Sequence, residues 1–263
     1  MSSVINLNIY QVVFGYIFIM AIFTLIRFKN IKREKQIAVA CIRMTLQLIL
    51  TGFLLQYIIK NPNPLATISI IVLMESFAIH TVFKKFGNRL SKPLKKVVAI
   101  SLVGGSLTSL LYFLLVVIQI KPWYLPQYFI PIAGMIVGNG MNGIALAINS
   151  MIEAMTTQKS QIEEALVLGA TPKAATEHIL KAAFDAAIMP TLNTMLGMGI
   201  IFLPGMMTGQ ILSGTNPMTA ITYQIIIMLG ILGAASLSVF IMLQLGYKTF
   251  FNKEDQLEES SKV

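Results

Sequence analysis

Charge is what this chain has least of. Only 12% of its 263 residues are Asp, Glu, Lys or Arg, 56% are hydrophobic, and the mean hydropathy is +0.75. Water-soluble domains carry about 25% charged residues. A surface this poor in charge cannot be covered against water, so lipid must be the main solvent. The single cysteine, Cys41, excludes an intrachain disulfide and a CxxC metal site. It lies in an apolar run and reads as a small buried hydrophobe. No G-x-x-x-x-G-K-[ST] loop is present, which excludes ATP binding by that route. Neither H-E-x-x-H nor G-x-S-x-G occurs, and no acid–base pair stands out, so the chain does not read as an enzyme. No cationic segment precedes the first apolar run and no A-x-A site follows it. That run reads as an uncleaved membrane helix.

Long apolar runs, in contrast, are plentiful. A helix needs about 20 apolar residues to cross a bilayer. Seven stretches qualify: Ile9–Ile26, Ala38–Ile59, Leu65–Phe83, Val97–Ile120, Tyr128–Met151, Ala186–Leu203 and Met218–Gly246. The expectation is an all-α polytopic membrane protein. Residues 1–252 form the membrane domain, with a cytoplasmic loop at about 152–182, and 253–263 form a polar tail that should fray.

The net charge of +9 is unevenly placed. Of the 20 Lys and Arg residues, 17 fall in the first, third and fifth connections and the tail, while only Lys60 and Lys121 fall on the other side. Positive charge stays cytoplasmic. This orientation puts the N-terminus outside and the C-terminus inside. The basic excess is thus a topology signal that also attracts anionic lipid, and nucleic-acid binding does not explain it. The outer connections hold Pro62, Pro64, Pro122 and Pro126. Trp123, Tyr124 and Tyr128 suit an interfacial aromatic belt.

The fifth connection carries a charged stretch from Glu163 to Ile179. The fifth span should run on as a helix through 160–168. Gly169 suits a C′ position with positive φ, and Thr171-Pro172 suits an N-cap followed by N1. On the first of these helices Ile162, Ala165, Leu166 and Gly169 form one ridge at helical spacing, flanked by Glu163 and Glu164. The ridge can lie in a partner's groove, with Glu163 at the rim, or pack on the chain's own helix ends.

Several polar residues lie at membrane depth. Arg43 either snorkels to the cytoplasmic face or pairs within the bundle, and Gln47 shares its face one turn on. Glu75 is either a neutral acid or a cation or proton site. It lies about 140° around the helix from His80, so the two do not form a ligand pair. Asn139 lies among glycines in the fifth span, followed by Asn142, and Gly134-x-x-x-Gly138 permits close helix contact. Pro204, Gly205, Met206 and Met207 follow the sixth span. Proline and glycine at that depth imply a broken helix, a frequent mark of transport sites. The two methionines are either flexible packing or thioether donors to a soft metal.

The Glu163–Gly169 stretch with Ile179 resembles the EAA loop of ABC-transporter permeases, departing from it at Glu164 and at Lys181-Ala182. Three further blocks widen the resemblance: Ile130-Pro131-Ile132-Ala133-Gly134-Met135-Ile136-Val137-Gly138-Asn139, Leu168-Gly169-Ala170-Thr171-Pro172 and Leu203-Pro204-Gly205-Met206-Met207-Thr208-Gly209. Over essentially its whole length the chain resembles the FetB-type permeases, membrane subunits of an ABC transporter to which iron export is ascribed. Plant relatives of that family act in aluminium tolerance. The resemblance implies a permease in a bacterial cell membrane, a homodimer, and a separate ATP-binding subunit that holds the ATP and magnesium. It also implies a metal substrate, for which the residues themselves single out no ligands. The rival reading is a stand-alone ion-coupled secondary transporter with Glu75 as the coupling carboxylate. Such proteins often show inverted repeats, and none is evident here.

Overall fold

Asn63, Ser91, Thr171 and Asn216 each open a helix by the same device. The side-chain oxygen accepts a hydrogen bond from a first-turn backbone N–H, and proline occupies one of the first two helical positions. The cap satisfies an otherwise orphaned donor, and the proline sits where a missing N–H costs nothing. The computed structural model describes residues 8–29 and 31–258. Its helices are α1 (Ile9–Phe28), α2 (Glu34–Lys60), α3 (Pro64–Phe86), α4 (Lys92–Tyr112), α5 (Pro126–Thr157), α6 (Lys159–Val167), α7 (Pro172–Gly197), α8 (Gly205–Leu212) and α9 (Pro217–Gly246). A π-helical turn, Phe113–Ile118, extends α4. Among the described residues there is no strand, only two isolated bridges. The fold is all-α, and six helices, α1 to α5 and α9, are long and apolar enough to cross a membrane.

The expected sixth span differs from what forms. Ala186–Leu203 is not one helix, because α7 ends at Gly197 and residues 198–204 are irregular. The first half of α7 carries Lys173, Glu177, Lys181 and Asp185. Only residues 186–197 of α7 are free of charge, which at 1.5 Å per residue is about 18 Å of helix. That is short of a bilayer core of about 30 Å.

α9 is the centre of the packing and lies against α4, α5, α7 and α8. Two clusters of buried side chains run along it. One holds Leu94, Val98, Ile144, Ile148, Met151, Ile162, Ile179 and Met242. The other holds Leu110, Phe113, Ile132, Ile136, Ile227 and Ile231. α4 and α9 approach each other closely. A Cβ added at Gly105 would lie 2.6 Å from Cα of Ser238. The close glycine contact is therefore not the expected Gly134-x-x-x-Gly138 pair. A Cβ at Gly134 would meet only Met74 Cε at 3.8 Å, and one at Gly138 nothing within 4 Å.

α1 and α2 stand apart. No residue in the apolar window of either is buried, so the rest of the chain leaves both helices largely uncovered. Cys41 is half-buried, not enclosed. The tail turns back instead of fraying: Asn252 N–H donates to Gln256 O at 2.9 Å, Glu258 N–H donates to Phe250 O at 2.8 Å, and Leu257 packs on the core. The remainder of the expected tail, 259–263, lies outside the described residues.

Candidate functional site

Two of the segments that the sequence singles out lie at opposite ends of α7. At its N-terminal end the chain makes a helix–turn–helix. α6 is a separate helix and not a continuation of α5, since Gln158 breaks the run between Thr157 and Lys159. Gly169 adopts φ +90°, a conformation that side-chain-bearing residues rarely take. It closes α6 with hydrogen bonds from Gly169 N–H to Leu166 O and from Ala170 N–H to Ala165 O, both 2.9 Å. Thr171 Oγ1 then accepts Ala174 N–H at 3.3 Å. The turn is built as its residues predict.

The ridge is not. Ile162 is 1% exposed, inside the core cluster, and Ala165 and Leu166 pack against that cluster. The expected docking ridge faces the chain's own α5 and α7. A nine-residue helix tied between two long helices buries its most apolar face against them. Gly169 stays exposed and Glu163 is half-exposed, with Lys159 3.7 Å away. What projects from the hairpin instead is Val167 and Leu168, 87% and 88% exposed. His178 Nε2 lies 2.6 Å from Gln158 Oε1 and ties α7 to the α5–α6 junction. Beside the hairpin, Glu177 sits 2.8 Å from Lys181. That hydrogen bond, and the lysine's charge, hold its carboxyl below the usual carboxylate range.

The polar residues at membrane depth are not gathered into one site. Arg43 and Gln47 are both exposed and line a groove of about 440 Å³ on α2 with Gln36 and Thr51. The Arg43 guanidinium lies 4.9 Å from the centroid of the Phe77 ring on α3, a cation–π contact. Glu75 turns the other way. It is 5% exposed, accepts a hydrogen bond from Ser106 of α4, and leaves Oε2 without a partner among the described residues. His80 is exposed, so the two share no face. Asn139 donates to Met135 O of its own helix at 2.8 Å, and Asn142 is exposed.

The helix break lies upstream of where the sequence puts it. Residues 198–204 are irregular, whereas Pro204 is the N-cap of α8 and Gly205, Met206 and Met207 are helical. Met207 is buried and lines a cavity between the end of α7, α8 and α9, while Met206 packs against the adjoining core. Sequence reasoning missed Ser106, whose hydroxyl can be matched to Glu75 only once α3 lies on α4. It also missed Gln224, one polar residue in a long apolar run and therefore visible in principle.

The family model described as "Uncharacterised protein family (UPF0014)" matches residues 9–251. The chain belongs to the UPF0014 family. It is 37% identical over 237 residues to a UPF0014 membrane protein of Synechocystis sp., covering 90% of this chain and 91% of that one. It is 35% identical over 225 residues to "Probable iron export permease protein FetB" of Escherichia coli, covering 85% of each. It is 36% identical to "Protein ALUMINUM SENSITIVE 3" of Arabidopsis thaliana, covering 88% of this chain and 82% of that one. No solved structure matches. The resemblance to FetB-type permeases read from the sequence blocks is thereby established, and with it a multi-pass membrane protein of a family that includes a named permease.

Proposed function

We propose that this chain is the membrane half of an ABC exporter of metal ions, with iron as the leading cargo. The observation that carries the reading is the hairpin after α5. It is a capped turn at Gly169 and Thr171 that holds two large apolar side chains, Val167 and Leu168, clear of the protein. Apolar anchors held out beside a charged stretch suit a groove on a separate ATPase subunit. That subunit binds the ATP and magnesium. Glu163 and Lys159 form the polar rim, and Ile162, Ala165 and Leu166 fix the hairpin to the bundle. The relative named an iron export permease supports both the cargo and the direction.

Two copies assemble around the path, with the hairpins facing the cytoplasm; α7, the irregular segment after it and α8 together make a broken seventh crossing, which puts the N-terminus outside and the C-terminus inside. Gln36, Arg43, Gln47 and Thr51 form a polar face on α2 that the chain itself leaves open. Lipid does not tolerate such a face at membrane depth, whereas a second copy and a shared water-filled path would cover it. Closed twofold symmetry is the commonest arrangement. Glu75, turned inward to Ser106, is not on that face, which weakens the ion-coupled alternative.

The reading is tested in cells under iron load. Removing the chain should raise total cell iron severalfold, and re-expression should reverse it. Unchanged iron content would remove iron as the cargo.

A further inference from the structure

At the end of the bundle opposite the hairpin, a cavity of about 390 Å³ lies between the end of α7, the irregular segment after it, α8 and the first turns of α9. Four of its ten lining residues are methionines: Met195, Met198, Met207 and Met228. The chain has 16 methionines in 263 residues, so composition alone would place fewer than one in a wall of this size. They come from separate elements, and Met207 and Met228 are 5% and 8% exposed. The same wall holds Gln224, a polar residue that is 5% exposed.

We infer that this cavity is a binding site for a soft monovalent cation, copper(I) or silver(I), held by the thioethers of Met195, Met198, Met207 and Met228 with the Gln224 carboxamide beside them. Thioether sulfur is a soft, neutral donor that favours such ions over hard divalent ones. A monovalent ion also suits the depth. The cost of desolvating an ion rises with the square of its charge, so a divalent ion would pay roughly four times as much in a ligand set that carries no compensating charge. Among the described residues no group of three or more His, Cys, Asp or Glu is placed to hold a harder cation. The site goes beyond the iron reading and depends on neither the ATPase nor the path on α2.

The test uses the full chain, purified alone in detergent micelles, titrated with copper(I) against a chromogenic copper(I) chelator. One tightly held copper(I) per chain is expected. Affinity should be the same at pH 5.5 and 7.5, because a thioether has no proton to lose, whereas thiolate or imidazole ligands would weaken at the lower pH. Met207→Leu with Met228→Leu conserves volume and should lower the affinity at least tenfold at an unchanged melting temperature. Met44→Leu, at an exposed position on α2, should change nothing, as should Cys41→Ser. A tenfold excess of iron(II) or zinc(II) should not displace the copper. Retained affinity in the Met207/Met228 double variant, loss of binding in Cys41→Ser, or absence of stoichiometric binding would each overturn the inference. None of these results bears on ATPase partnership or cell iron, so the two readings fail separately.

Discussion

Replacing Val167 and Leu168 together by Asp should abolish the chain's association with its ATPase subunit and leave its own fold intact. Both side chains stand almost wholly in solvent, so their loss removes no packing within the chain. If they are the anchors that enter the partner's groove, each contributes on the order of 2 kcal/mol. Losing both, and burying two carboxylates in their place, should weaken the complex a hundredfold or more. Ile162→Ala supplies the contrast. Ile162 is enclosed, and its truncation should cost about 3 kcal/mol of stability by opening a cavity under the hairpin. Pull-down of the ATPase subunit together with thermal unfolding separates the two variants. Normal pull-down by the double Asp variant would remove the hairpin tip from the interface.

Gly105→Ala should prevent the bundle from forming. The added Cβ would overlap Oγ of Ser238 and sit 2.6 Å from its Cα. The obstacle at Cα is backbone, so no rotamer change relieves it and α4 must move off α9. Overpacking of a close-packed interior typically costs 1–3 kcal/mol, and a backbone clash at the main helix pair should reach about 3 kcal/mol or more. Gly104→Ala, one residue away with nothing within 4 Å, should be neutral or slightly stabilising through helix propensity. Yield of monodisperse protein in detergent, and its melting temperature, report both outcomes. A Gly105→Ala protein as stable as the parent would mean that α4 and α9 do not pack as described.

What the sequence revealed and what it hid divide along the range of the interactions. The turn at Gly169 and the cap at Thr171 were readable because each depends on residues within about three positions. The apolar helices were readable because lipid leaves a compositional mark. Which way Ile162 faces was not readable, because helical spacing defines a ridge but not what lies across from it. That was decided when α6 folded back between α5 and α7. The sixth span was drawn too long because hydropathy continues smoothly through 198–203 while the helix stops at Gly197. Glu75 stayed open between a neutral acid and a cation or proton site because its partner, Ser106, is 31 residues away. The methionine cavity was half visible at Met207. Met195, Met198 and Met228 join it only when α7, α8 and α9 converge.

The central claim, a permease worked by a separate ATPase, is tested most directly by reconstitution. The chain is co-expressed with a candidate ATP-binding subunit, the complex is placed in liposomes, and ATP hydrolysis is measured with and without iron. The account predicts a complex of two copies of each subunit and iron-stimulated hydrolysis that the chain alone lacks. Iron transport by the chain alone, driven by an ion gradient with no ATP-binding subunit attached, would contradict it.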